Sequence, residues 1–195
     1  MKRGLKIVSG FVAVLLIILG IYITYLFLDY DRLPDQQEIT TIKGTNVSEQ
    51  TEKAHYRATS FNIGYAAYPA DYSFFMDGGK YSRAYDKETV LTNLDGISTA
   101  LTTLQSDIIF LQEVDTIAHR SFKVNQVDYL TDQFSNYDAA FAQNYDSSYL
   151  FYPFTKPIGQ STSGLLTLSQ FPIVTTTRYS LPIETDFNKF FDLDR

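Results

Sequence analysis

An α/β protein with mixed sheets, carried behind one membrane-spanning helix, is the fold class this sequence predicts. Three observations predict it. Residues Ile7 to Leu28 hold no charged side chain, and 22 such residues suffice to cross a hydrocarbon core as a helix. From Arg57 onward the periodicity alternates between the strand and helix types, in the order strand, helix, strand, helix, strand, strand, strand. Between the two helical stretches lies the apolar run Ile108-Ile109-Phe110-Leu111, which reads as a strand buried on both faces.

The first element is the apolar helix. Lys2, Arg3 and Lys6 precede it, and Asp29 and Asp31 follow it. The positive-inside rule then places residues 1–6 in the cytoplasm as a tail and the rest of the chain outside, at the plasma membrane. A cleaved signal peptide has a shorter apolar core and a small-x-small cleavage site. This run ends instead in Tyr25-Leu26-Phe27-Leu28, so 7–28 is read as an uncleaved single-pass anchor. Residues 29–53 are polar and without period and are read as a linker with a short strand. The sequon Asn46-Val47-Ser48 within them recurs often by chance and carries no weight. Residues 54–195 form the exported domain.

Within that domain Arg57 to Ile63 reads as a strand with Phe61 and Ile63 on one face. Gly64 to Tyr85 is a long loop rich in Tyr, Phe, Gly and Asp, and loops of that length in compact domains are commonly functional. Asp86 can cap a helix over Lys87–Gln105, whose Val90, Leu94, Ile97, Leu101 and Leu104 make one buried stripe. Asp107 to Val114 is the buried strand. Ser121 can cap a second helix with Val124, Val127, Leu130 and Phe134 inward. Asp138 to Tyr145 reads as a strand. Gly164 to Leu168 and Ile173 to Thr177 read as a strand pair joined by Ser169-Gln170-Phe171-Pro172.

Composition narrows the chemistry. Hydrophobic residues make up 45% and charged residues 19%, which excludes a disordered chain. Lys and Arg number 16 against 22 Asp and Glu. Without residues 1–28 the balance is 13 to 22, so the exported part is distinctly acidic, which disfavours long duplex DNA as a partner. The absence of Cys removes disulfides, thiol nucleophiles, Fe–S clusters and thiolate zinc sites. His55 and His119 are the two histidines; each reads as a surface loop residue.

No phosphate-binding glycine loop, GxSxG or HExxH occurs. What stands out is Asn62, at the end of Ser60-Phe61-Asn62, and Glu113, at the end of Leu111-Gln112-Glu113. Sites in open α/β sheets gather at the carboxyl ends of strands. A Glu there can bind a hard cation, and an Asn beside it can orient the ion or a phosphate oxygen. The plainer readings are a solvated strand end or an ion pair with Arg120 for Glu113, and a turn cap for Asn62. Arg83, Arg120 and Lys123 are candidate phosphate contacts. Two aromatic loops, Tyr65 to Tyr85 and Asn144 to Phe154, could stack on a base or sugar or touch lipid headgroups, although loop packing is the plainer reading.

Thr59-Ser60-Phe61-Asn62, then a helix, then Ser106-Asp107-Ile108-Ile109-Phe110-Leu111-Gln112-Glu113-Val114-Asp115, resembles the opening of the endonuclease/exonuclease/phosphatase superfamily, with its deoxyribonuclease I-like fold. Ser163-Gly164-Leu165-Leu166-Thr167-Leu168-Ser169-Gln170-Phe171-Pro172-Ile173 resembles its later strand pair. The resemblance covers about residues 56–195 and implies a two-sheet sandwich flanked by helices. It implies a phosphodiester or phosphomonoester hydrolase, with Glu113 as ligand of Mg²⁺ (or Mn²⁺) and Asn62 positioning the metal or the scissile phosphate. The family's later G-D-x-N and S-D-H motifs are missing; Asp186-Phe187-Asn188 is a faint echo without the Gly. The sandwich is therefore expected to be incomplete, and the 195-residue chain to be an inactive N-terminal part. The substrate is open among nucleic acid, phospholipid headgroups and inositol phosphates, with no nucleotide cofactor. The alternative is a non-catalytic surface binding protein that keeps the fold.

Overall fold

The computed structural model describes residues 2–45, 47–48, 52–53 and 55–182. Two compact units divide at about residue 32. The first carries helix α1 (Lys2–Asp29), whose apolar side chains point outward all round. Its 28 residues, at about 1.5 Å each, exceed the ~30 Å of a hydrocarbon core. One helix long and apolar enough to cross a membrane is thus present.

The second unit contains β1 (Gln37–Glu38), β2 (Ala58–Asn62), α2 (Lys87–Leu104), β3 (Ile108–Ala118), α3 (Gln126–Gln133), β4 (Asp138–Leu150), β5 (Gly159–Ser169) and β6 (Thr177–Arg178). Four strands form one mixed sheet in the order β2-β3-β5-β4, and β1 and β6 form a two-stranded antiparallel ribbon. The parallel neighbours β2 and β3 are joined through α2, as a parallel pair needs a long crossover. This is the expected α/β class, with a ribbon in place of a full second sheet among the described residues.

The helices cover one face of the sheet. Ile109, Leu111, Leu166 and Leu168 alternate inward and meet Val90, Leu94 and Leu101 of α2 and Val127 and Leu130 of α3. The expectation that β3 is buried on both faces is corrected by that alternation. Phe110 between two buried neighbours is 42% exposed, because among the described residues helices lie on one side only. Asp86 caps α2 as predicted, accepting from the Thr89 N–H. Ser121 does not cap α3; Asn125 does, accepting from Asp128 N–H at 3.3 Å. The left-handed residues Phe122 and Lys123 interrupt any earlier helix.

The predicted pairing of Gly164–Leu168 with Ile173–Thr177 does not form. β5 already has β3 on one side and β4 on the other, so no edge remains for a third partner. The late strand is short and pairs with β1 instead. The 29–53 stretch is held to this unit from Pro34 onward: Arg178 Nη1 donates to Pro34 O at 3.3 Å, Ile42 bridges Ala139, and Lys43 Nζ donates to Asp138 at 2.8 Å.

Asp107, at the entrance to β3, accepts from the Lys53 ammonium and from Arg57 N–H. The Lys53 hydrogen bond first, and the backbone donor second, hold its carboxyl below the usual range. A depressed carboxyl contributes stability above the unfolded-state value and loses it as pH falls through the folded-state value. Asp107→Asn should therefore lower the thermal midpoint at neutral pH, and the gap to wild type should narrow as the pH is lowered below the ordinary carboxylate range in circular-dichroism melts.

Candidate functional site

The site lies where β2 ends and β3 is interrupted. Asn62 is the last residue of β2 and is in register with Gln112. Glu113 follows Gln112, so the two residues singled out in the sequence come to neighbouring positions on adjacent strands. The pairing of β3 with β5 slips between Leu111 and Val114, and Glu113 has φ +58°. This is a bulge, the device by which a strand re-aims a side chain beside an active site. A left-handed conformation at a non-glycine residue costs on the order of 1–3 kcal/mol and persists only where the surroundings impose it. Glu113 is thus not a strand terminus, because β3 continues to Ala118.

The Asn62 amide is oriented by its own turn: Oδ1 accepts the Gly64 N–H at 2.9 Å. The turn-cap reading of Asn62 is therefore true, and it leaves the Nδ2 group free to donate. Gln112 Nε2 donates to Ser60 Oγ at 3.1 Å and to Phe110 O at 3.2 Å, so Ser60, Asn62 and Gln112 line the same open face. Glu113 is half-buried and has no hydrogen bond or ion pair among the described residues.

Behind Glu113 is a buried polar cluster that the sequence reading did not assemble. The Arg120 Nη2 donates to Asp115 Oδ1 at 2.8 Å and Nε to Oδ2 at 3.2 Å. Arg120 Nη2 also reaches Ser163 Oγ at 3.2 Å, and Ser121 Oγ donates to Asp115 Oδ2 at 2.6 Å. Arg120 is therefore neither the partner of Glu113 nor a phosphate contact; it is 4% exposed and spent on Asp115. Its guanidinium carbon lies 3.3 Å from the centroid of the Tyr65 ring, a cation–π contact. Gln126, the first residue of α3, accepts from Asp115 N–H at 3.0 Å and donates to Tyr65 O. The cluster clamps the turn after β2 to the strand after the bulge.

Burial pushes the Asp115 carboxyl upward, against the Arg120 guanidinium and its hydrogen bonds. Burial works to lower the guanidinium, but the Asp115 carboxylate and its hydrogen bonds, with Tyr65 and Tyr68, leave it raised. With both carboxylate oxygens hydrogen-bonded, the pair is ionic. Tyr65, left-handed at φ +56°, has its hydroxyl pushed up to about 12, first by burial, with Arg120 opposing and Glu113 adding to the rise. It stays a neutral phenol, able to donate a hydrogen bond.

Other predicted residues lie apart. Arg83 Nε donates to Pro157 O at 2.5 Å, tying two loops. Lys123 is exposed in the turn before α3. His55 is exposed just before β2, at the opposite strand end from Asn62. His119 Nδ1 accepts from Gln160 N–H at 3.1 Å, and its ring meets Tyr149. Asn46 and Asp186 to Asn188 lie outside the described residues. No group of three or more His, Asp or Glu that could hold a metal ion occurs among the described residues. One carboxylate with an amide oxygen nevertheless suits Mg²⁺, which commonly takes one or two carboxylates and keeps several waters.

The cluster was hidden for a definite reason. Asp115, Arg120, Ser121 and Gln126 are spread over twelve residues with no period, and Tyr65 lies fifty residues earlier. The one signal was the run of charged and polar side chains straight after the most apolar strand.

Residues 59–193 match the profile of the Endonuclease/Exonuclease/phosphatase family. No curated protein and no solved structure matches the chain.

Removing one partner of a buried ion pair costs about 3–5 kcal/mol. Arg120→Ala should destabilise by that order in urea unfolding, and the Arg120→Ala/Asp115→Ala double variant should cost less than the two single changes added together.

Proposed function

The chain belongs to the endonuclease/exonuclease/phosphatase family, and from that premise we propose that it serves a membrane-anchored, outward-facing, Mg²⁺-dependent phosphoester hydrolase. The observation that carries the reading is Glu113: a half-buried carboxylate, unpaired among the described residues, on a left-handed bulge residue beside an oriented Asn62. Family membership makes phosphoester hydrolysis the expected chemistry. Orientation is read from Lys2, Arg3 and Lys6 before the apolar helix and Asp29 and Asp31 after it.

Glu113 and the second lone pair of Asn62 Oδ1 would hold the cation. A bound Mg²⁺ neutralises charge developing on the phosphoryl oxygens. The chain's own groups bind and orient. Asn62 Nδ2–H donates to a phosphoryl oxygen, its direction set by the Gly64 N–H on the other side of the amide. The Tyr65 hydroxyl, kept protonated, adds a neutral donor. The Asp115–Arg120 pair touches no substrate; it positions Tyr65 and the backbone on either side of Glu113. Water activation needs a base, and neither histidine is placed for it: His55 lies at the far strand end, and His119 is held by Gln160. That step falls to the family's later motifs, which these 195 residues do not contain. Asn62 and Glu113 are read as the metal-binding part of the site.

Two measurements test this. Mn²⁺ bound by the 195-residue chain, followed by electron paramagnetic resonance, should weaken at least about tenfold in Glu113→Gln with the circular-dichroism spectrum unchanged. In a reading frame that also carries G-D-x-N and S-D-H motifs, Mg²⁺ should confer phosphodiesterase activity, and Glu113→Gln should lower kcat/KM by about 100-fold or more. Unchanged Mn²⁺ affinity in the variant would sink the assignment.

A further inference from the structure

Two loops at the site-bearing end of the sheet are stitched into one ridge. The first follows β2 directly, and the second joins β4 to β5. Ser82 Oγ donates to Lys156 O at 2.5 Å and Arg83 Nε to Pro157 O at 2.5 Å. Within the first loop Tyr72 hydroxyl donates to Arg83 O at 2.6 Å, and the Tyr68 and Tyr72 rings lie 4.7 Å apart. This packing is the plainer reading made visible, but it accounts for the inner rings alone. The outer ones are turned to solvent: Phe154 is 84%, Met76 71% and Tyr152 62% exposed. They are contiguous, with Phe75 5.7 Å from Tyr152 and Tyr152 5.8 Å from Phe154.

An exposed apolar ridge on a rigid base marks an interaction site. The chain itself supplies its occupant. Helix α1 ends at Asp29, and the folded body already binds Pro34 through Arg178. Five residues of extended chain reach about 17 Å. A body tethered that closely to a bilayer meets its surface at high effective concentration. Aromatic rings of amphipathic or apolar type favour the water–hydrocarbon interface. The cations beside the ridge, Lys80 over the Tyr81 ring and Lys156 over the Phe122 ring, sit as snorkelling side chains do at that depth. With the exposed domain acidic and Asp77 next to Met76, the contact is apolar rather than electrostatic.

We propose that the ridge formed by Phe75, Met76, Tyr152 and Phe154 inserts into the interface of the bilayer that α1 crosses. Because the ridge shares the sheet end with Asn62 and Glu113, insertion turns that end toward the lipid headgroups. Resting on the phosphoesterase reading, this favours a phosphoester carried by a membrane lipid as substrate.

The chain contains no Trp, so a single introduced Trp reports alone. Met76→Trp and Phe154→Trp chains, each full length in phosphatidylcholine vesicles, are compared with and without brominated acyl chains. Val174→Trp, an 88% exposed position beyond the opposite end of β5, serves as reference. The expected result is about twofold or greater quenching by brominated lipid at both ridge positions and little at position 174. Unquenched emission at both ridge positions overturns the proposal and points to a soluble partner or glycan. Equal quenching at all three positions overturns it too, since it would reflect the tether alone. Glu113→Gln should leave the quenching unchanged, so failure of the phosphoesterase reading shows separately.

Discussion

The buried Arg120–Asp115 pair is the contact on which the site depends. Two non-glycine turns in the left-handed region, at Tyr65 and at Glu113, would relax in a free chain. Both are held because the same guanidinium grips Asp115, two residues past the bulge, and lies over the Tyr65 ring. Gln126 repeats the link through backbone atoms. A buried ion pair is weak evidence for stability in general. Here it serves geometry: it spans the β2 turn, β3 and, through Ser163, β5.

That arrangement explains a division of labour among the acids near the site. Asp115 is fully buried, and both of its oxygens are already hydrogen-bonded to Arg120 or Ser121. Glu113, two positions earlier, would share its side of the strand in a regular ladder. The bulge breaks the alternation, and of the two carboxylates Asp115 alone is bound into the cluster, while Glu113 is half-buried with no hydrogen bond among the described residues. Sheet and helices thus provide a stiff floor, while the aromatic loops above it are braced by their inner rings and present their outer ones.

Much of the fold was legible because burial imposes period. The α2 stripe of Val90, Leu94 and Leu101 and the inward set of α3 follow from one covered face each, and the Asp86 cap follows from local hydrogen bonding. Asn62 and Glu113 stood out because a polar side chain directly after apolar residues has little structural reason to be there; that Glu113 sits on a mid-strand bulge was not legible. Pairing partners were not legible: β5 occupies the sheet interior, which no local pattern announces, and so the predicted strand pair failed. The one-sided burial of β3 also escaped, since Phe110 is as apolar as its neighbours and only the placement of the helices tells its face from theirs.

By itself, the sequence determined the long apolar N-terminal helix, the α/β order and the family, and it singled out Asn62 and Glu113, all from composition and short-range spacing. The tertiary structure alone decided which charges meet. It gave Arg120 to Asp115 instead of to Glu113 or a phosphate, because only the bulge and a packed α3 bring residues 65, 115, 120 and 126 into one cluster. The long-range geometry that selects one ion pair over another costs chain entropy to assemble, and no local pattern of residues encodes it.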